Sequence, residues 1–228
     1  MNWQYDEFQQ VGKDYGQKSE VEVYDSSHSD FRDIEKESLE VFEKIQLGKK
    51  DILVDFGCGT GTFAILAAQR CTYVYAADIS SAMLDHAKKK ASERGVKNID
   101  FLNTGFLNYE HKGKAPTVVS STFAFHHLPD FWKGVALKRI HKTLAQGGRF
   151  YLCDVILDEE EPLEKISRFI EKQDQVGGDF LREDAEQHFR EEYSTYDWVI
   201  DGMLQRSGFK IESKEKQEGI IATYVCSK

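Results

Sequence analysis

The sequence predicts an α/β fold: a doubly wound, mostly parallel seven-stranded sheet with an antiparallel C-terminal strand. Two patterns predict this class. Short apolar runs alternate with amphipathic helical segments, and a glycine turn joins the first run to the first helix. Four strand–helix units in alternation imply a parallel sheet, whose ligands bind at the carboxyl edge of the strands. Two final apolar runs, joined by a polar turn at 217–219, predict a closing hairpin.

The first strand and its turn form the most informative stretch. Residues 52–56 predict a short buried strand, which three glycines at alternate positions then end: Gly57, Gly59 and Gly61. Glycine lets the backbone turn tightly and lets a ligand lie directly on it, because a Cβ would collide. Residues 63–68 predict the following helix, whose first turn directs free N–H groups and the positive dipole end at that ligand. Together these features predict a nucleotide-type site.

The spacing around this turn distinguishes between nucleotide ligands. A dinucleotide fingerprint needs a third glycine where Thr62 stands, and a phosphate-binding loop needs a lysine that does not follow these glycines. The second predicted strand, residues 72–77, leads into Asp78, twenty-one residues after Gly57. An acid at that distance can accept hydrogen bonds from both hydroxyls of an adenosine ribose. Ribose hydroxyls without a pyrophosphate indicate S-adenosylmethionine.

With these residues the chain resembles the class I S-adenosylmethionine-dependent methyltransferases. The resemblance runs from about Asp51 to Asp154 and is carried by residues 54–61, 78–80, 125–128 and 144–150. It implies the Rossmann-like fold of that family and S-adenosyl-L-methionine as cofactor, with S-adenosyl-L-homocysteine as product. It also implies an enzyme that transfers a methyl group to its acceptor by in-line displacement.

The predicted cofactor-binding residues are Asp55, Gly57, Gly59, Gly61, Asp78, Ile79, Gly105 and Phe106. Asp55 either orients the turn or approaches the methionyl ammonium group. The family often has an acid after the third strand that accepts a hydrogen bond from the adenine amino group, but Thr104 and Gly105 stand there. We therefore expect backbone groups near Phe106 and apolar contacts to hold the adenine.

Two histidines follow the predicted fourth strand. In the family pattern this pair lies beside the transferable methyl group, so His127 is the candidate catalytic residue and His126 a second candidate for contacting ligand. Either can act as a general base, which is needed only where the acceptor arrives protonated. No metal site is predicted, because adjacent histidines point to different sides and no third histidine lies at ligand spacing along the chain.

Composition and charge favour a small-molecule acceptor. The net charge is −9, and residues 158–192 hold thirteen Asp and Glu against five Lys and Arg, a net charge of −8. Clustered Lys and Arg bind polyanions, so this charge pattern disfavours a nucleic-acid partner. No apolar run approaches the roughly 20 residues of a membrane helix, so no membrane partner is expected. Four scattered cysteines favour reduced thiols and a cytoplasmic location. The sequence does not define the oligomeric state.

A single domain over residues 1–228 is expected, with four parts. Residues 1–30 form an N-terminal lid, in which Tyr15 and Tyr24 either touch ligand or pin the segment to the core. Residues 31–156 form the cofactor-binding core. Residues 157–192 are an acidic helical insertion that covers the substrate, and residues 193–228 contain the final helix and the closing hairpin.

Three alternative functions stay open. A tRNA-modifying methyltransferase would share the core and would need a basic surface patch near residues 88–97. A non-catalytic S-adenosylmethionine-binding protein would bind the cofactor and methylate nothing. A NAD-dependent oxidoreductase would need the missing glycine and a place for pyrophosphate, and binding of NADH would reveal it.

Overall fold

A computed structural model describes residues 3–9, 11–12 and 33–228 of the chain. Its elements in chain order are α1 (Ile34–Lys44), β1 (Ile52–Phe56), α2 (Thr62–Ala68), β2 (Tyr73–Asp78), α3 (Ser81–Glu93), β3 (Ile99–Asn103), β4 (Val118–Thr122), a 3-10 turn (Phe125–His127), α4 (Asp130–Thr143), β5 (Arg149–Leu157), α5 (Pro162–Glu191), β6 (Thr195–Tyr196), α6 (Asp197–Arg206), β7 (Lys210–Gln217) and β8 (Ile221–Ser227).

The strands form one mixed sheet with the order β3-β2-β1-β4-β5-β8-β7, and the two-residue β6 pairs with β5 outside this path. Strands β1 to β5 run parallel to one another, whereas β8 runs antiparallel to both β5 and β7. The predicted fold class is therefore confirmed. The winding direction reverses between β1 and β4, and in open α/β sheets the crevice at this switch point is where ligands bind.

Successive residues of β1 point to opposite faces of the sheet, and each face carries its own apolar cluster. Val54 belongs to the cluster that contains residues of α4 and α6, whereas Leu53 packs with residues of α1 and α2. Both side chains are fully buried. Helices on both faces make this the doubly wound architecture that the alternating pattern predicts.

The acidic segment after β5 is almost entirely the helix α5. Its backbone leaves the helical conformation at Gly178, with φ of 60° and ψ of −153°. The rings of Phe169 and Phe189 lie 6.0 Å apart, so the chain turns back at this glycine and forms two helical arms. Ala185 is its one buried residue, and no helix in the described ranges combines the length and apolar character that crossing a membrane requires.

Gly134 and Gly178 both have room for a Cβ atom but differ in backbone conformation, so alanine substitutions at the two positions form a matched pair. No atom lies within 4 Å of a Cβ added at Gly134, inside α4, or at Gly178. Gly134→Ala is expected to stabilise the protein by about 0.5–1 kcal/mol, because alanine loses less conformational freedom in a helix. Gly178→Ala is expected to destabilise it by on the order of 1–3 kcal/mol, because L-residues avoid this conformation. Urea unfolding measures both changes, and the same sign for both would contradict the explanation.

Candidate active site

A cavity of about 870 Å³, including its open mouth, lies where β1, β2, β3 and β4 end. Its walls come from the four loops that follow these strands and from the N-terminal segment. The predicted residues among them are Gly57, Gly59, Asp78, Ile79, Gly105, Phe106 and the catalytic candidate His127. The structure thus brings these predicted residues together at one cavity at the carboxyl edge of the sheet.

The three glycines of the turn all have positive φ, between 52° and 77°, but they serve different needs. A Cβ on Gly57 would overlap the Cβ of Ala124, and one on Gly61 would lie 2.8 Å from the Cβ of Ala87. At Gly59 no atom lies within 4 Å of that position, and this residue lines the cavity. Gly57 and Gly61 therefore permit close packing, whereas Gly59 leaves space that a ligand can fill.

Asp78 joins the loops that follow β1 and β2. Its Oδ2 accepts a hydrogen bond from the N–H of Gly59 and its Oδ1 accepts one from the N–H of Ser80, both at 2.8 Å. Burial raises the pKa of Asp78, and these bonds oppose the rise. Each carboxylate oxygen has two lone pairs, so each retains the capacity to accept from a ligand hydroxyl.

Asp55 supports the turn from within the sheet. Its carboxylate is 4% exposed and accepts a hydrogen bond from the hydroxyl of Ser120 at 2.7 Å. Burial, with a contribution from the charge of Asp78, raises the pKa of Asp55 to about 7 although the bond from Ser120 opposes this. Neither Asp55 nor Gly61 is among the described residues that line the cavity. Their predicted role in cofactor binding would therefore be indirect.

An acidic side chain lies beside Gly105 and Phe106, where the sequence indicated none. Glu7 is 6% exposed, and its Oε1 accepts hydrogen bonds from the N–H groups of Leu107 at 2.9 Å and Asn108 at 3.0 Å. Burial raises the pKa of Glu7 against the effect of these bonds. A Cβ built on Gly105 would overlap the Glu7 carboxylate. Glu7 thus occupies the space in which a side chain at position 105 would lie.

The N-terminal residues 3–9 contact the rim of the cavity at several points. The ring of Trp3 stacks on Trp132 with centroids 6.3 Å apart, and the hydroxyl of Tyr5 donates a hydrogen bond to the carbonyl of His127 at 3.2 Å. The lid role of residues 1–30 stays a prediction, since Tyr15 and Tyr24 lie outside the described residues.

The two predicted histidines have different surroundings. His127 lines the cavity, and burial together with the charge of His126 lowers its pKa to about 4. His126 is buried behind it, with Nδ1 2.5 Å from Asp154 Oδ1 and Nε2 3.1 Å from Glu192 Oε2. Burial lowers the pKa of His126, but the two carboxylates outweigh this effect and raise it to about 9. His127 is therefore neutral near pH 7, beside a protonated neighbour.

Several residues of the site carried no local signal in the sequence. Phe123, Ala124, Met83, Glu7, Gln9 and Val11 line the cavity because of tertiary contacts alone. Phe123, which follows β4, has a positive φ of 50°, uncommon for a residue other than glycine. Behind the cavity wall, Glu192 contacts both His126 and His188, and here the sequence offered a usable signal, since the i,i+4 spacing of His188 and Glu192 brings these two side chains together.

Known proteins match the chain over this region and beyond it. A methyltransferase domain profile matches residues 53–148. An uncharacterised methyltransferase of Geobacillus kaustophilus is 28% identical over 204 residues, which cover 90% of this chain and 87% of that protein. One of Bacillus mycoides is 30% identical over 161 residues, or 70% of this chain and 69% of that protein. The chain belongs to the class I methyltransferases. The methyltransferase uses S-adenosylmethionine, the cofactor of this family.

The fold of the methyltransferase agrees with this assignment. A solved S-adenosylmethionine-dependent methyltransferase from Clostridium acetobutylicum superposes with a TM-score of 0.67 at 15% identity, over 92% of this chain and 97% of that one. The cavity itself suits the cofactor in two respects. There is open space above Gly59, and the Asp78 carboxylate retains acceptor capacity at the end of β2.

The raised pKa of Asp55 predicts a pH-dependent stability. The folded methyltransferase binds this proton more tightly than the unfolded chain, with a pKa of about 7 against 3.8, so ionisation costs stability as pH rises from about 4 to 7. Asp55→Asn removes this cost while keeping an acceptor for Ser120. Its stability relative to wild type should therefore increase between pH 5 and pH 8, by up to about 2.5 kcal/mol. Urea unfolding at both pH values measures it, with exposed Asp85→Asn as the control. A pH-independent difference would contradict this assignment.

Proposed function

We propose that the methyltransferase transfers the methyl group of S-adenosylmethionine to a small-molecule acceptor at the His127 end of the cavity. The observation that carries this proposal is the Asp78 carboxylate, which two backbone hydrogen bonds fix at the cavity wall with acceptor capacity to spare. In the bound state the cofactor supplies a methyl group that is already activated by its sulfonium sulfur. The protein then has to position the acceptor and exclude water.

The residues of the cavity divide into three parts in this proposal. Asp78 and Ile79 bind the ribose, with Asp78 accepting from its hydroxyls. Gly105, Phe106 and Glu7 bind the adenine, because Glu7 places a carboxylate where the family acid would reach from position 105. Glu7 would accept from the adenine amino group, so the adenine is held by more than the backbone and apolar contacts expected from the sequence.

The remaining wall, formed by Phe123, Ala124 and His127, borders the methyl end. Asp55 and the packing of Gly61 support the turn on which the cofactor lies. His127 is the proposed proton acceptor for an acceptor group that arrives protonated, because it lines the cavity and its backbone carbonyl accepts a hydrogen bond from Tyr5. Residues 1–30 are proposed as the lid and residues 31–156 as the cofactor-binding core. Residues 157–192 are proposed as the insertion that covers the substrate, and residues 193–228 as the C-terminal part.

A small acceptor is favoured over tRNA by the surface near residues 88–97. Lys88 lies 3.1 Å from Asp85, and Arg94 lies 3.1 Å from Glu35, so acidic partners offset these charges. The acidic α5 further disfavours a polyanion near the site. The four cysteines are all free, which supports the proposed cytoplasmic location.

The ribose assignment can be tested by calorimetry on wild type and Asp78→Ala. Cofactor affinity should fall by about one to two orders of magnitude, or about 1.4–2.8 kcal/mol, because two charge-assisted hydrogen bonds are lost. Asp85→Ala is the control for a surface carboxylate, and circular dichroism verifies that the variant remains folded. Wild-type protein that binds NADH and not S-adenosylmethionine would instead support an oxidoreductase. Binding without methylation of any acceptor would indicate a non-catalytic cofactor-binding protein.

The adenine assignment can be tested with a modified ligand. Wild type should bind S-adenosylhomocysteine more tightly than the analogue whose adenine amino group is replaced by a carbonyl oxygen, because the Glu7 carboxylate would face an acceptor. Glu7→Gln should reduce this preference about tenfold or more, since its amide can donate to the carbonyl. Gln9→Ala, a change at another lining residue of the same segment, should leave the preference intact. An unchanged preference in Glu7→Gln would exclude this role.

A further inference from the structure

Behind the cavity wall, three potential metal ligands from two distant parts of the chain meet. His126 lies in the turn after β4, whereas His188 and Glu192 lie four positions apart at the end of α5. One ligand atom from each lies within 4.8 Å of the other two. Glu192 Oε2 is 3.1 Å from His126 Nε2 and 2.5 Å from His188 Nδ1. His188 and Glu192 are distant from His126 along the chain, and the return of α5 brings both of them next to it.

The second nitrogen of each imidazole is already held by an oxygen. Nδ1 of His126 lies 2.5 Å from Asp154 Oδ1, and Nε2 of His188 lies 2.7 Å from the hydroxyl of Ser194. Each ring therefore turns one nitrogen toward Glu192 and has the other fixed from behind. Metal-binding histidines in proteins have this arrangement, with a carboxylate, carbonyl or other oxygen acceptor fixing the tautomer and the ring orientation.

The charge of the cluster is also suited to a cation. The carboxylates of Asp154 and Glu192 have exposures of 1% and 6%, and their ion pairs in the described part of the chain are all with histidines. A hydrogen-bonded network with shared protons is the alternative explanation for these short distances. A divalent cation held by the two imidazoles and Glu192 would neutralise the charge of both buried carboxylates and would give all three facing atoms a partner at once.

The geometry needs little adjustment to hold such an ion. In a tetrahedral zinc site with bonds of about 2.0–2.1 Å, ligand atoms lie roughly 3.3 Å apart, so Glu192 Oε2 would move away from each of the two imidazole nitrogens by less than about 1 Å. Two imidazoles and one carboxylate are a donor set that suits zinc and other first-row divalent ions. The His188 side chain is 15% exposed, which provides a route of entry.

We propose that His126, His188 and Glu192 bind a divalent metal ion of the zinc class, with Asp154 and Ser194 orienting the two imidazoles. The ion fastens the end of α5 to the turn that carries His127, whose Nδ1 lies 4.0 Å from Glu192 Oε1. Three protein ligands leave a coordination position for water or for an oxygen or sulfur atom of the acceptor. Metal binding stands on the cluster alone, whereas a contact with the acceptor rests on the proposed function.

The test uses the full chain after treatment with a chelator and titration with Zn²⁺ or Co²⁺. Calorimetry should show about one equivalent bound, and Co²⁺ should give the intense visible bands of a tetrahedral site. His188→Ala and Glu192→Gln should abolish these bands. Ser194→Ala should weaken binding about 10–100-fold, as expected for loss of an outer-shell partner. His86→Ala, a histidine of α3 outside the cluster, is the control.

Two results would overturn the metal site and leave the hydrogen-bonded network: wild type binds neither ion, or His188→Ala binds the ion as tightly as wild type does. Calorimetry with S-adenosylhomocysteine on the same samples shows whether each variant is folded, because Asp78 lies outside the cluster. Wild type that binds Zn²⁺ but not S-adenosylhomocysteine would contradict the proposed function and not the metal site. Wild type that binds S-adenosylhomocysteine but neither metal ion would contradict only the metal site. If His188→Ala or Glu192→Gln does not fold, the comparison of wild type with Ser194→Ala still decides whether the cluster binds a metal ion.

Discussion

Two hydrogen bonds from the backbone to one carboxylate hold together the loops on which the cofactor site depends. Asp78 accepts from Gly59 after β1 and from Ser80 before α3, so neither loop is positioned independently of the other. This linkage is possible because β1 and β2 are neighbouring parallel strands whose carboxyl ends lie at the same edge. The side chain that is proposed to bind the ribose therefore also fixes the turn on which the ligand would lie.

Two further buried acids lie near this carboxylate, Glu7 in the cavity wall and Asp55 in β1. Burial raises the pKa of Glu7, Asp55 and Asp78 alike, which shows that their ionised forms are costly in the protein alone. A ligand that carries positive charge reduces this cost when it binds. The sulfonium and ammonium groups of S-adenosylmethionine give it that charge, so the electrostatics of the cavity agree with the family cofactor and disfavour a pyrophosphate.

The sequence predicted the features that depend on neighbours along the chain. The apolar run of β1 and the glycines after it are local patterns, and each has the expected structure. The side chains that complete the site were not predictable in this way. Glu7 reaches Gly105 across the mouth, and Glu192 reaches His126 only because α5 turns back at Gly178. Such contacts depend on the path of the chain in space, which residue spacing does not encode.

The N-terminal segment has a consequence for kinetics. Trp3, Tyr5 and Glu7 contact α4, the turn after β4 and the loop after β3, so one short stretch spans the mouth of the cavity. If Glu7 holds the adenine as proposed, the cofactor could not leave by the mouth until that stretch detaches. Exchange of spent for fresh cofactor would then be timed by opening of the N-terminus rather than by diffusion, which makes product release a natural slow step of the cycle.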